Sequence, residues 1–139
     1  MEIKTLLEQR GLLIFDGAMG TQLQAKGLKT GETPELLNLT AKDLLKEIHR
    51  SYIDAGADII SANTFGANSY KLSHSGKSVD EIITAGIINC KEAIKESGKD
   101  VFCALDIGPI GQLLEPTGSL KFEEAYDCLL YTSPSPRDS

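Results

Sequence analysis

Ala55-Gly56-Ala57-Asp58-Ile59-Ile60-Ser61-Ala62-Asn63-Thr64-Phe65-Gly66 places a helix stop, a short apolar strand and a polar exit on consecutive residues. Asp58 to Ala62 is too short for a helix and rich in branched residues, so it reads as a buried strand. Upstream, Ala41 to Ala55 sets Leu44, Leu45, Ile48 and Tyr52 at helical spacing, with Thr40 as the expected N-cap and Asp43 in the first turn. Gly56 ends that helix. Downstream, Val79 to Ser97 repeats the pattern with Ile82, Ile83, Ile87, Cys90 and Ile94, opened by Ser78 and Glu81 as a capping box and closed by Gly98. Leu12 to Phe15 and Val101 to Leu105 match the central strand. Strands starting near 12, 58 and 101 lie roughly 45 residues apart, as expected when each is followed by a helix and a loop. The fold class is therefore α/β, built from three β/α units. Such units form parallel sheets, closed either as a doubly wound sheet or as an eight-stranded barrel. Three strands cannot close a barrel alone.

The 139 residues suffice for one core. Hydrophobic residues make up 41% and charged residues 24%, a globular rather than a disordered mixture. Fourteen basic against twenty acidic side chains give a net charge of −6, which argues against a nucleic-acid partner. No apolar run approaches the roughly 20 residues that cross a bilayer, and no basic n-region precedes an apolar stretch. Membrane binding is not expected, and a cytoplasmic location is. Cys90, Cys103 and Cys128 are odd in number and far apart, so reduced thiols are expected rather than a disulfide framework or a zinc knuckle.

Helical patterning resumes at Lys121 to Tyr126 and then gives way to a Ser/Pro-rich end containing Pro134 and Pro136. The expected division is 1–127 as the N-terminal part of a barrel domain and 128–139 as a non-native or disordered tail. A series of three strands leaves an open sheet edge, which points to a polypeptide cut short; a natural flexible terminus is the alternative.

In parallel β/α folds, ligands bind where the strands end at their carboxyl side. Those exits read Asp16-Gly17-Ala18-Met19-Gly20, Asn63-Thr64-Phe65-Gly66 and Asp106-Ile107-Gly108-Pro109. Each pairs a polar side chain with a nearby glycine that lets the backbone approach a ligand. A carboxylate can hold an ammonium group, and the amides of Gly17 and Ala18 can receive a carboxylate. Asp16 beside them suits a zwitterionic amino acid. The alternative is that Asp16, Asn63 and Asp106 cap the helices that follow.

At these residues the chain resembles the homocysteine S-methyltransferase family. The resemblance rests on Asp16 to Leu23, His49-Arg50-Ser51-Tyr52 with Ala55-Gly56-Ala57-Asp58, Asn63 to Ala67, and Asp106-Ile107-Gly108-Pro109, across about Leu12 to Tyr126. Its wording is nearest to the homocysteine-binding module of cobalamin-dependent enzymes. The resemblance implies the first three β/α units of a (β/α)8 TIM barrel. It also implies methyl transfer to the zinc-activated thiol of homocysteine, forming methionine. Asp16 would hold the substrate ammonium; Gly17, Ala18 and Thr64 would hold its carboxylate; Asn63 and Asp106 would shape the pocket. The methyl donor implied is methylcobalamin or methyltetrahydrofolate, with cobalamin on a downstream module.

The family's three zinc cysteines come from later strands, so no metal ligand and no catalytic residue is assigned to this chain. Cys90 and Cys103 are expected to be packing residues. The chain is expected to be an inactive fragment by itself. Betaine or S-methylmethionine as donor, and a non-catalytic binding fragment, are the alternatives. Ser75-Gly76-Lys77-Ser78 imitates a phosphate loop, but Lys71 stands where that motif needs glycine. His49 and His74 have no partner at metal spacing and are expected to be structural or solvated.

Overall fold

The computed structural model describes residues 2–132. Strands β1 (Ile59–Ser61) and β2 (Phe102–Ala104) pair in parallel, with Ile60 opposite Cys103. The expected strand at Leu12 to Phe15 is not a regular strand. It is reduced to a parallel bridge between Phe15 and Ile59 on the other edge of β1. The reason lies in Asp58, whose carboxylate accepts the Ile14 N–H at 2.9 Å in place of a backbone carbonyl. Backbone bonds from Asp58 and Ile59 to Ile14 O, and from Asp16 to Ile59 O at 3.0 Å, still hold the segment parallel to β1. Leu12, Ile14 and Phe15 are all more than half exposed, so one edge of this segment is unpaired among the described residues.

Helix α1 (Ile3–Arg10) leads into that segment, and α2 (Met19–Ala25) leaves it. A 3₁₀ turn (Pro34–Leu36) and the short α3 (Leu37–Thr40) precede α4 (Lys42–Asp54). The expected cap at Thr40 is not made. Thr40 closes α3 and turns its hydroxyl back to Leu36 O, so Ala41 precedes α4 without a side-chain cap. Asp43 does lie in the first turn, and Gly56 beyond the end has φ +109°. After β1, α5 (Ser69–Leu72) leads to α6 (Val79–Ser97), which has the expected bounds. Ser78 Oγ accepts the Glu81 N–H at 3.1 Å, and Gly98 closes the helix at φ +69°.

Helices α4 and α6 pack on each other and on the sheet. The core between them joins Ile53, Ile60, Ala62, Cys90 and Ala93, with Cys103 packed alongside. Leu23, Leu45 and Ile48 form a second cluster under α2, and Leu72, Val79, Ile82 and Ile83 a third. Each fully buried branched side chain contributes about 1.5–3 kcal/mol. His49, on α4, is completely enclosed, and neither ring nitrogen has a hydrogen-bond partner among the described residues. Of the two placements expected for His49, structural or solvated, the structure gives the buried one.

The last helix departs from expectation. Helix α7 (Phe122–Thr132) continues past Tyr126, because Cys128 joins Ile110 and Leu120 in a small buried cluster. The expected boundary at 127/128 therefore falls inside a helix, and 133–139, with both prolines, lie outside the described residues. No helix among the described residues is long and apolar enough to cross a membrane.

Asp58 anchors the N-terminal segment, since its buried carboxylate takes both the Arg10 guanidinium and the Ile14 N–H. Asp58→Ala removes both at once. The expected loss is about 1–3 kcal/mol, read as a lower urea midpoint with faster amide exchange at Ile14. An unchanged midpoint would mean that this segment is held by something else.

Candidate functional site

The carboxyl ends of β1 and β2 and the segment bridged to β1 converge on a cavity of about 440 Å³. Asp16, Gly17, Ala18, Asn63, Thr64 and Asp106 all line it, so all six residues singled out in the sequence meet in one place. The parallel register is the cause. Residues one to three positions past the end of each paired strand must share a rim.

Asp16 faces β1, accepting the Ser61 N–H on Oδ2 at 3.0 Å. Burial raises its carboxyl above the ordinary range, the Ser61 bond opposes this, and the negative charge of Asp106 adds to it. The next two residues carry backbone N–H groups with no partner among the described residues. Three carboxyl side chains, Asp16, Glu35 and Asp106, line the cavity, with no basic side chain among the described residues that line it. Such a lining favours a cationic group, while the open amides of Gly17 and Ala18 favour an anionic one.

Two residues expected at the substrate are engaged elsewhere. The Thr64 hydroxyl, fully buried, donates to Asp106 O at 2.8 Å and accepts the Asp106 N–H at 3.0 Å. It ties the β1 exit to the β2 exit, and its one proton is committed. Asn63 is buried too, and its amide donates to Pro34 O and Asn38 Oδ1, both at 2.9 Å. Asn38 returns bonds to Asn63 O at 2.8 Å and Ile82 O at 3.0 Å, while Asn89 donates to Asn38 O. This network bolts the exit loop of β1 to α3 and α6.

Glu35, Asn38, Tyr52 and Asn89 were not anticipated at the site. Glu35 is nearly buried and accepts the Gly66 N–H at 2.7 Å. A Cβ at Gly66 would stand 2.8 Å from Glu35 Oε1, so a side chain there would displace the Glu35 carboxylate from this bond. Tyr52 donates its hydroxyl to Ala18 O at 2.9 Å. The only sequence signal for that contact is a tyrosine on an apolar helix face, whose ring packs on the core while its hydroxyl stays free to meet an acceptor. A second cavity of about 360 Å³ adjoins across Pro34, Glu35 and Phe65. Lys71 lines this outer space, its ammonium 5.5 Å from the Phe65 ring centroid.

A family model described as homocysteine S-methyltransferase matches residues 13–130. The chain belongs to the homocysteine S-methyltransferase family. Among its relatives, methionine synthase of Mycobacterium tuberculosis is 45% identical over 73 residues, 48% of this chain and 6% of that protein. Methionine synthase of Mycobacterium leprae is 47% identical over 68 residues, 45% of this chain and 6% of the relative. The solved homocysteine methyltransferase MmuM of Escherichia coli, metallated form, aligns with a TM-score of 0.71 at 22% identity. That alignment covers 78% of this chain and 42% of MmuM, and the likeness is one of fold. The chain thus spans less than half the length of the relatives it matches.

The zinc ion implied by the family resemblance finds no fitting donor set here. Among the described residues no three His, Cys, Asp or Glu side chains gather as a metal cluster. Cys90 and Cys103 sit between α6 and the sheet rather than on the cavity, and the adjoining Cys103 thiol, with burial, pushes the Cys90 thiol well up. They are packing thiols in this family member.

Proposed function

We propose that this segment holds the amino-acid end of homocysteine while the whole protein transfers a methyl group to its sulfur, forming methionine. On this reading the described residues are the first three β/α units of a (β/α)8 barrel. The observation that carries it is the juxtaposition of Asp16 with the N–H groups of Gly17 and Ala18, which have no partner among the described residues, in a cavity lined by acids. Asp16 receives the substrate ammonium, with Asp106 adding negative potential. The two amides receive the carboxylate. Thr64 and Asn63 act from behind, fixing the loop that forms the opposite wall.

A free thiol is only a few per cent ionised near neutral pH, so the attacking thiolate needs a cation to displace its proton. In the transfer, a sulfur lone pair forms the new S–CH₃ bond as the donor leaves with the electrons of the bond it breaks. No ligand set for zinc exists among the described residues, so this chain's contribution is binding and orientation. A methylcobalamin or methyltetrahydrofolate donor belongs to the same proposal.

The test is a homocysteine titration followed on the amide resonances of Gly17, Ala18 and Ser61. Asp16→Ala should weaken binding about tenfold to a hundredfold, the range for a charge-assisted hydrogen bond. The wild-type affinity should also fall as pH drops through the Asp16 carboxyl range, because the protonated acid cannot pair with ammonium. Equal affinities for wild type and variant would sink the reading.

A further inference from the structure

Tyr52 sits near the end of α4, with its ring packed against two core clusters, Ile53/Ile60 on one side and Leu45/Ile48 on the other. Its hydroxyl reaches out of that core to Ala18 O at 2.9 Å. The ring also backs Gly17 so closely that a Cβ there would meet the hydroxyl oxygen at 2.8 Å and Cε1 at 3.0 Å. The loop is thus clamped at both ends. Asp16 is tied to β1 through its N–H to Ile59 O and through its carboxylate to Ser61 N, and Ala18 is tied to α4 through Tyr52.

Planar peptides leave only two soft dihedrals per residue, so fixing Asp16 and Ala18 restricts the two N–H groups between them. Those are the N–H groups of Gly17 and Ala18, which line the cavity without a partner among the described residues. We propose that Tyr52 is a positioning residue: its hydroxyl bond to Ala18 O aims the Gly17 and Ala18 amides at the substrate carboxylate. The proposal rests on the functional reading above and adds the part that makes the grip specific for carboxylate. A purely packing role would be met equally by phenylalanine, because the ring alone fills the space between the clusters.

The discriminating experiment compares two ligands on the full chain, homocysteine and 3-mercaptopropylamine, which keeps the thiol and ammonium but has no carboxylate. Tyr52→Phe should weaken homocysteine about three- to tenfold, the worth of one neutral hydrogen bond. Binding of 3-mercaptopropylamine should stay within about twofold. The ¹³C shift of the Ala18 carbonyl should move in the ligand-free variant, reporting the lost bond directly. Gly17→Ala, whose Cβ would meet both the ring and the hydroxyl of Tyr52, should also weaken homocysteine selectively, and an unchanged affinity in that variant would overturn the positioning role.

Equal loss for both ligands, or no loss for either, overturns the positioning role while leaving the functional reading in place. A wild-type chain that binds the two ligands alike removes the carboxylate grip itself, and the functional reading with it.

Discussion

Asn38→Ala should destabilise the chain by on the order of 3 kcal/mol, although the side chain touches no part of the proposed ligand. Its amide donates to Asn63 O and Ile82 O, and its oxygen accepts from Asn63 Nδ2, all in a buried setting. Truncation removes three hydrogen bonds and leaves the Asn63 carbonyl without this donor inside the protein. Each net bond is worth about 1 kcal/mol, and a stranded buried group costs about 1–3 kcal/mol. The amide fills its niche closely, since a Cβ on Gly86 of α6 would lie 2.8 Å from Asn38 Nδ2. Asn38→Asp should be no milder, because it points one carboxylate oxygen at two carbonyl oxygens. The check is the urea midpoint at unchanged slope. Homocysteine binding should weaken as well, since Asn63 and Thr64 lose the strut that holds their loop. A loss below about 1 kcal/mol would show that the network is redundant.

That strut also marks where the sequence stops being legible. The bounds of α6 follow from Ser78, Glu81 and Gly98, three residues within reach of their own helix ends, so local chemistry suffices. The meeting of Asp16, Asn63 and Asp106 was legible because parallel strands must bring their exits to one rim. Contacts such as Asn38 with Ile82, 44 positions apart, leave no periodic or motif signal. Glu35 carries no motif signal, and its buried bond to Gly66 depends on how the 3₁₀ turn docks. The first strand failed for a related reason: Asp58, 44 positions away, takes the Ile14 N–H that a regular ladder would use. Helix α7 outran its pattern because Cys128 finds Ile110 and Leu120, again a tertiary contact. Thr64 and Asn63 show a subtler limit. Their place at the rim was readable, but whether a polar group faces ligand or neighbour is decided by tertiary contacts such as those with Asn38 and Asp106.

His49 should make the fold acid-sensitive across a window that the carboxylates alone would not set. Burial in an apolar setting lowers its pKa from 6.5 to about 4, and no charged group contributes to the shift. The unfolded chain binds a proton at this site as pH falls below 6.5, while the folded chain resists until about 4. Unfolding therefore takes up a proton within that interval, so stability rises with pH there. The stabilisation relative to the protonated state is complete above 6.5 and is lost progressively down to about 4. At about 1.4 kcal/mol per pH unit, the full loss is about 3 kcal/mol, a large share of a small domain's stability. His49→Leu should flatten this window, because nothing remains at the position to protonate. It should also raise the midpoint at pH 7, since the histidine buries two ring nitrogens that have no hydrogen-bond partner among the described residues. Urea midpoints of both proteins at pH 7, 5.5 and 4.5 isolate the effect, because every carboxylate is common to the pair and cancels in the difference. Parallel pH curves would mean that His49 finds a proton or a partner in the folded state, and that α4 opens around it more readily than its enclosure implies.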